Sequence, residues 1–220
     1  KGVFSNPTRE LGYLVDRQLF PDTPYRFLSG GYPAAIPTLT YDNFINFHRK
    51  YYHPSNSYIF LYGDGDTEAE LAFIDEHYLS KYTESDQIVD IPLQPAFEAL
   101  RSSQGFYSAI EGSELEGNSY LSLSFVVGLS ADQQLVLGLR VLTQALFNNE
   151  SAPVRLALQE AGIGKDISAW VDDLKQNVFH IQVQNANPDE GEKFKRVVFE
   201  TLEKVANEGL DTAAITGILN

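Results

Sequence analysis

Chemistry in this sequence has to start from four histidines, His48, His53, His77 and His180, because no cysteine is present to act as nucleophile, thiolate ligand or disulfide partner. His48 and His53 stand closest, within FHRKYYHPSNSYIFLYGD between Phe47 and Asp64. A hydrolytic zinc site usually takes two imidazoles from positions four apart on one helix face, at about 2.0–2.1 Å from the ion. Five residues of ideal helix instead turn two side chains about 140° apart, and Pro54 pushes His53 out of helical geometry. The pair is therefore expected to end a helix, with His48 a core or hinge residue on its apolar stripe and His53 a turn residue. His77 has Phe73 and Lys81, not a second ligand, at i±4, and neither H-x-x-E-H nor H-E-x-x-H occurs.

Other groupings lead no further. DGDTEAEL (64–71) invites a calcium reading, but its spacing does not match an EF-hand loop, and Thr67-x-x-Glu70 reads as a capping box opening a helix. Glu111, Glu114 and Glu116 crowd an expected hairpin turn, where solvated carboxylates do no acid/base work. Gly30-Gly31 lacks the lysine and helix of a phosphate loop, and no G-x-S-x-G nucleophile turn exists. No catalytic and no metal-ligating residue is assigned in this chain, and substrate-binding positions stay open.

The elements that would position any site follow from cap and periodicity signals. Ser5-Asn6-Pro7 opens a helix with the stripe Leu11, Leu14, Val15 and Leu19, stopped by Pro21 and Pro24. Thr40 caps a second helix expected to bury Tyr41, Phe44, Ile45, His48 and Tyr51, and SYIFLYG (57–63) reads as a strand covered on both faces. Periodicity fades between Thr83 and Gln104. Beyond it GFYSAIE and SYLSLSFVVG are expected to pair antiparallel, with Leu121, Leu123, Phe125 and Val127 on one face. Ser130-x-x-Gln133 and Ser151 introduce two helices, the second ending at Gly162; strands follow near Ile167–Val171 and Val178–Val183. Alternation places His180 on the less buried face of the latter, with Val178 and Gln182. Asn187-Pro188-x-Glu190 is a capping box before an amphipathic helix on Phe194, Val197, Val198, Leu202 and Val205, closed by Gly209, and Asp211 starts one more. The fold class expected is α+β, helices layered on antiparallel sheets, in segments 1–82, 83–104 (linker) and 105–220.

Composition narrows the partners. At 220 residues with 43% hydrophobic and 21% charged residues the chain reads as soluble and globular, and no apolar run approaches the roughly 20 residues that cross a bilayer. A net charge of −14 without clustered Lys and Arg argues against nucleic acid. With no methionine, even to initiate, the chain is expected to be an internal piece of a longer protein.

GGYPAAIPTLTYDNFINFHRKYYHPSNSYIFLYGD resembles a segment of the pitrilysin/insulinase superfamily of zinc metallopeptidases, in the branch of presequence protease and falcilysin. SAPVRLALQEAGIGKDISAWVDD, FHIQVQNANPDE and EGLDTAAITGILN resemble the second homologous domain of that branch, and with KGVFSNP the likeness spans nearly the whole chain. One departure is Tyr32, where the branch usually shows Asp after the two glycines. The resemblance implies two partial pitrilysin-type domains: residues 1–82 ending the first peptidase-type domain and 105–220 beginning a second, zinc-free one. It implies that the H-x-x-E-H motif and a further glutamate ligand precede Lys1, and that the Arg and Tyr assisting catalysis lie in the last domain. The parent would use zinc to activate water against a peptide carbonyl, with the motif's glutamate as general base, so Zn²⁺ belongs to the parent and none is expected on this chain.

The expected role is thus a wall and brace of a chamber that degrades short unstructured peptides, with the remainder of the parent polypeptide and peptide substrates as partners. The acidic balance suits basic peptides, and no membrane or nucleic-acid partner is expected. A bacterial cytoplasm fits, with the mitochondrial matrix as alternative. The competing reading is a metal-free scaffold of the same superfamily.

Overall fold

The first helix of the computed structural model, which describes residues 5–85 and 89–219, starts as its sequence dictates. Asn6 is extended and its side chain accepts the amides of Thr8 and Arg9 at 3.0 and 3.3 Å, opening α1 (Pro7–Leu19). The helix stops ahead of Pro21, and contacts group it with the C-terminal elements: one compact unit is Leu28–Pro92, the other the described residues on either side. These are packing units of this chain; the expected 1–82, 83–104 and 105–220 division is one of homology, not of packing.

In the unit Leu28–Pro92, α2 (Tyr41–Tyr51) is capped by Thr40, whose hydroxyl accepts from the Asn43 amide at 3.1 Å. Its apolar stripe differs from expectation. Tyr41, Phe44 and His48 are exposed and only Ile45 and Tyr51 are half-buried, because no described element packs on that side. The helix α3 (Thr67–His77) is capped by Asp66, which accepts from Ala69 N at 3.2 Å, so the expected Thr67/Glu70 box is replaced by a cap one residue earlier. The expected strand 57–63 is not formed. A strand exists only with a ladder partner, none of the described residues supplies one, and Tyr58, Phe60 and Tyr62 stand 104%, 86% and 96% exposed.

The other unit is built on β1 (Ser119–Leu129), β2 (Asp166–Asp172) and β3 (Gln176–Ala186), an antiparallel sheet in the order β1-β3-β2. The register sets Leu123 opposite Ile181 and Ile181 opposite Ala169 on one face, and Ser124 opposite His180 and His180 opposite Trp170 on the other. The partner of β1 is therefore β3, not GFYSAIE. That stretch forms no strand: the Tyr107 hydroxyl donates to the Asn118 carbonyl and its ring meets Tyr120 edge-on, while Phe106 and Ile110 are exposed.

Four helices follow β1: α4 (Gln133–Leu146), α5 (Pro153–Glu160), α6 (Gly191–Glu208) and α7 (Thr212–Leu219). The cap of α4 is Asp132, accepting from Leu135 N at 3.0 Å, rather than Ser130, whose carbonyl instead takes the Gln133 amide. Pro153, following Ala152, opens α5, while Ser151 bonds back to Asn149. The Asn187/Glu190 capping box is present, with Glu190 Oε2 accepting from Asn187 N at 2.7 Å. From these helices Phe147, Val154, Leu158, Phe194 and Val198 meet Leu123, Ala169, Ile181 and Val183 of the sheet in one core. Each fully buried side chain of this kind stabilises the fold by about 1.5–3 kcal/mol. Gly164, between α5 and β2, has φ +63°, and a Cβ there would stand 2.7 Å from the Gln184 carbonyl oxygen and collide with Val183. Only glycine lets the chain approach β3 so closely.

Candidate functional site

Both faces of β3 are buried, and the second face is polar. Phe179, Ile181 and Val183 go to the core; Val178, His180 and Gln182 go to the opposite side, where His180 is 6% and Gln182 4% exposed. The expectation of a less buried His180 is corrected, because α1 packs on β1 and the Trp170 indole lies over the imidazole.

The register delivers the polar partners. Ser124 Oγ lies 2.9 Å from His180 Nδ1, and Asp172 Oδ2 lies 3.1 Å from Nε2. Ser122 Oγ is 3.1 Å from Ser124 Oγ. Trp170 stacks on the ring, centroids 4.8 Å apart at 17°. The hydrogen bond from His180 holds the Asp172 carboxyl below the ordinary carboxylate range, against the opposing effect of partial burial. Burial pushes the Asp16 carboxyl of α1 upward, with the His180 charge working against this and Asp172 adding to it. Asp16 therefore stands within electrostatic reach of both.

A serine, a histidine and an aspartate in a row suggest acyl transfer, but this array lacks the rest of that chemistry. Ser124 sits mid-strand in a ladder, its hydroxyl engaged by His180 on one side and Ser122 on the other. An acyl-transfer centre needs donors aimed at a developing oxyanion and room for substrate beside the nucleophile; here the indole closes the ring face. The array satisfies buried polar groups and holds charge.

A neighbouring network ties the chain after α1 to the start of β3. Gln94, itself buried, accepts from Asp22 N at 3.0 Å and donates to Asp22 Oδ2 at 2.8 Å, while its amide and carbonyl meet Gln176 at 2.6 and 3.1 Å. The Lys175 amide donates to the Tyr25 hydroxyl at 3.0 Å. The outer edge of β2 is closed by side chains: Asn148 exchanges two bonds with the Ala169 backbone, at 2.8 and 3.1 Å, and Arg155 donates to the Ile167 carbonyl at 3.0 Å.

The remaining histidines are scattered. His48 is exposed and stacked on Tyr52, which corrects its core placement. His53 is a turn residue: its Nδ1 accepts from Ser55 N at 3.2 Å at the head of the turn Pro54–Asn56, and its ring meets Tyr82 edge-on. His77 is exposed beside Phe73. Glu111, Glu114 and Glu116 are exposed, as are residues 64–70 at the start of α3. Among the described residues no three His, Asp or Glu side chains converge as an ion would require. The residues present do not fit the zinc that the resemblance implies for the parent, and no step is assigned to a metal here.

A short antiparallel sheet with the α4–α6 core on one face and a polar row under α1 on the other makes an α+β domain. The family described as "Peptidase M16 inactive domain" matches residues 38–220, and the chain belongs to the M16 peptidases, the pitrilysin/insulinase group, carrying a part that lacks the H-x-x-E-H motif. All of it aligns, at 42% identity over 221 residues, with "Protein HypA" of Clostridium perfringens, covering 23% of that protein. It is 32% identical over 226 residues to "Presequence protease 1, chloroplastic/mitochondrial" of Arabidopsis thaliana, covering 21% of it. The chain thus spans about a fifth of the length of these curated relatives. A protease structure from Helicobacter pylori shares the fold, with TM-score 0.58 at 18% identity over 96% of this chain and 54% of that one. Among the described residues no helix is long and apolar enough to cross a membrane.

Proposed function

We propose that this chain is a non-catalytic, chamber-forming section of a zinc-dependent oligopeptidase that hydrolyses short unstructured peptides. Residues 1–82 would end its first peptidase-type domain, 83–104 link, and 105–220 begin the zinc-free second. The observation carrying this reading is the stretch Ser57–Tyr62, whose backbone lacks a ladder and whose aromatic side chains are bare. Burying such a surface takes further strands, and a polypeptide about five times longer, as the relatives are, has them to give. The remainder of the parent is thus the first partner, in a bacterial cytoplasm or, as the alternative, a mitochondrial matrix.

The test compares the intact parent with this chain alone. The parent should contain zinc and cleave short peptides; this chain should do neither, and His53→Ala in the parent should leave its zinc content unchanged. Zinc held by this chain through two or more of its histidines would overturn the reading. The charge of −14 favours basic peptides as substrates, and equal cleavage of basic and acidic peptides by the parent would remove that preference.

A second reading, a metal-free scaffold, draws on the description of the matching domain as inactive. Translating the coding sequence upstream of Lys1 separates the two: an H-x-x-E-H motif supports the peptidase, and its absence the scaffold.

A further inference from the structure

Gln94 is 5% exposed, and burial of a primary amide opposes folding unless its polar groups are met. Here they are met in two reciprocal pairs. The backbone amide donates to Gln176 Oε1 at 2.6 Å and the carbonyl accepts from Gln176 Nε2 at 3.1 Å, so the Gln176 side chain stands in for the backbone of a neighbouring strand. The Gln94 side chain repeats the arrangement toward Asp22, accepting from its amide at 3.0 Å and donating to Oδ2 at 2.8 Å. Gln176 opens β3 and Asp22 follows α1, so one residue couples the two.

The unit that holds α1 and the sheet is discontinuous: the chain leaves it after Phe27 and re-enters at Leu93. Asp22 lies just before the exit and Gln94 just after the return. Other residues well downstream also reach the segment before the exit. Arg101 donates to the Gln18 carbonyl at 2.9 Å, one of the last carbonyls of α1, which have no partner inside the helix. The Lys175 amide donates to the Tyr25 hydroxyl at 3.0 Å. Gly105 lies so near Leu14 that a Cβ on it would stand 3.2 Å from Leu14 Cδ2. Phe20, at the end of α1, is fully buried with its ring against Tyr25, and α1 packs on β1. The segment from α1 to Tyr25 is therefore held by residues between Gln94 and Gln176, and none of these contacts uses Leu28–Pro92.

We propose that residues 5–27 form an arm docked on the 93–219 body through its own contacts, with the Gln94 clasp fixing its seat. The surface takes an amphipathic helix followed by the Asp22–Tyr25 tail, and holds them without the covalent path through Leu28–Pro92. Where residues 1–82 end one peptidase-type domain and 105–220 begin the next, the arm is the first domain's grip on the second; that consequence rests on the proposed function, and the docking does not.

A cut between arm and body tests it. A site-specific protease sequence is inserted between Ser29 and Gly30, both exposed, and the otherwise complete chain is cleaved there after folding. Gel filtration at about 10 µM should keep the arm with the remainder, since a micromolar dissociation constant leaves most of it bound. Titration of a labelled 5–27 peptide that exchanges into the cleaved complex should show binding weakened roughly tenfold by Gln94→Ala and roughly fivefold by Asp22→Ala. If Gln94→Ala fails to fold, Asp22→Ala decides, because it leaves the pair between Gln94 and Gln176 in place. Loss of the arm from the unsubstituted chain on cleavage, or precipitation of the cleaved chain, shows that the covalent path holds it and overturns the docking. Affinity unchanged in Asp22→Ala, or in a folded Gln94→Ala, overturns the clasp. Zinc content and peptide cleavage by the parent do not enter these outcomes, so the two proposals fail separately.

Discussion

Trp170 and His180, on adjacent strands and opposite each other in register, stack with ring centroids 4.8 Å apart and planes 17° from parallel. Trp170 is the single tryptophan of the chain. The imidazole covers one face of the indole, so His180→Ala should let water reach the ring and shift its emission to longer wavelength. An unchanged emission spectrum in that variant would mean that His180 does not shield Trp170.

The two aspartates near His180 should respond to acid in opposite ways. The hydrogen bond from His180 depresses Asp172, so its stabilisation is present above the ordinary carboxylate value of about 4 and is lost as pH falls through the lower folded value. Asp172→Asn should cost no more than about 1 kcal/mol at neutral pH, since roughly half of its side chain is open to water. Denaturant titrations near pH 2.5 and 7 should show the difference vanishing in acid. Asp16→Asn should show the reverse, a gain at neutral pH that disappears in acid, because burial raises the affinity of that carboxyl for its proton.

Asn148 occupies backbone positions that another strand would otherwise use, donating to and accepting from Ala169 at 2.8 and 3.1 Å. Asn148→Ala leaves one amide and one carbonyl at a half-buried edge without their partner. The expected loss is about 1–3 kcal/mol, read from the midpoint of urea unfolding. The variant should also associate at concentrations where the parent chain stays monomeric, measured by sedimentation.

Asn177 is fully buried, and among the described residues neither its side-chain carbonyl nor its amide nitrogen finds a partner. A buried polar group left in this way opposes folding, and an apolar residue of similar shape removes the penalty. Asn177→Leu should raise stability by about 1 kcal/mol, and a lower unfolding midpoint would mean that the amide is satisfied.

Elements whose stability is local could be read directly from the residues. Asn6 before Pro7, the Asn187/Glu190 box and the stripe from Phe194 to Val205 carry their own caps and periodicity, and the structure forms them there. Pairing was less legible, because a strand depends on residues far away in sequence. SYLSLSFVVG does form β1, yet it joins β3 rather than the nearer GFYSAIE. The same gap hid the cluster. Serines alternating in β1, Trp170 and Asp172 in β2 and His180 in β3 each showed a polar face, but only the register brings those faces together. Alternation alone called the His180 side less buried, since it carries no information about α1 returning from far upstream to cover it. In the unit Leu28–Pro92 the apolar stripe of α2 and the run 57–63 predict burial, but an apolar pattern reports a need for cover, not where the cover comes from.

Among the described residues, side chains of Asn148 and Arg155 close the β2 margin of the sheet while β1 forms the other margin. The ladder is thus asymmetric. Two copies meeting along β1, each with β2 stoppered, would end as a pair instead of running on as a fibre. A longer polypeptide folding around the same core meets the same asymmetry.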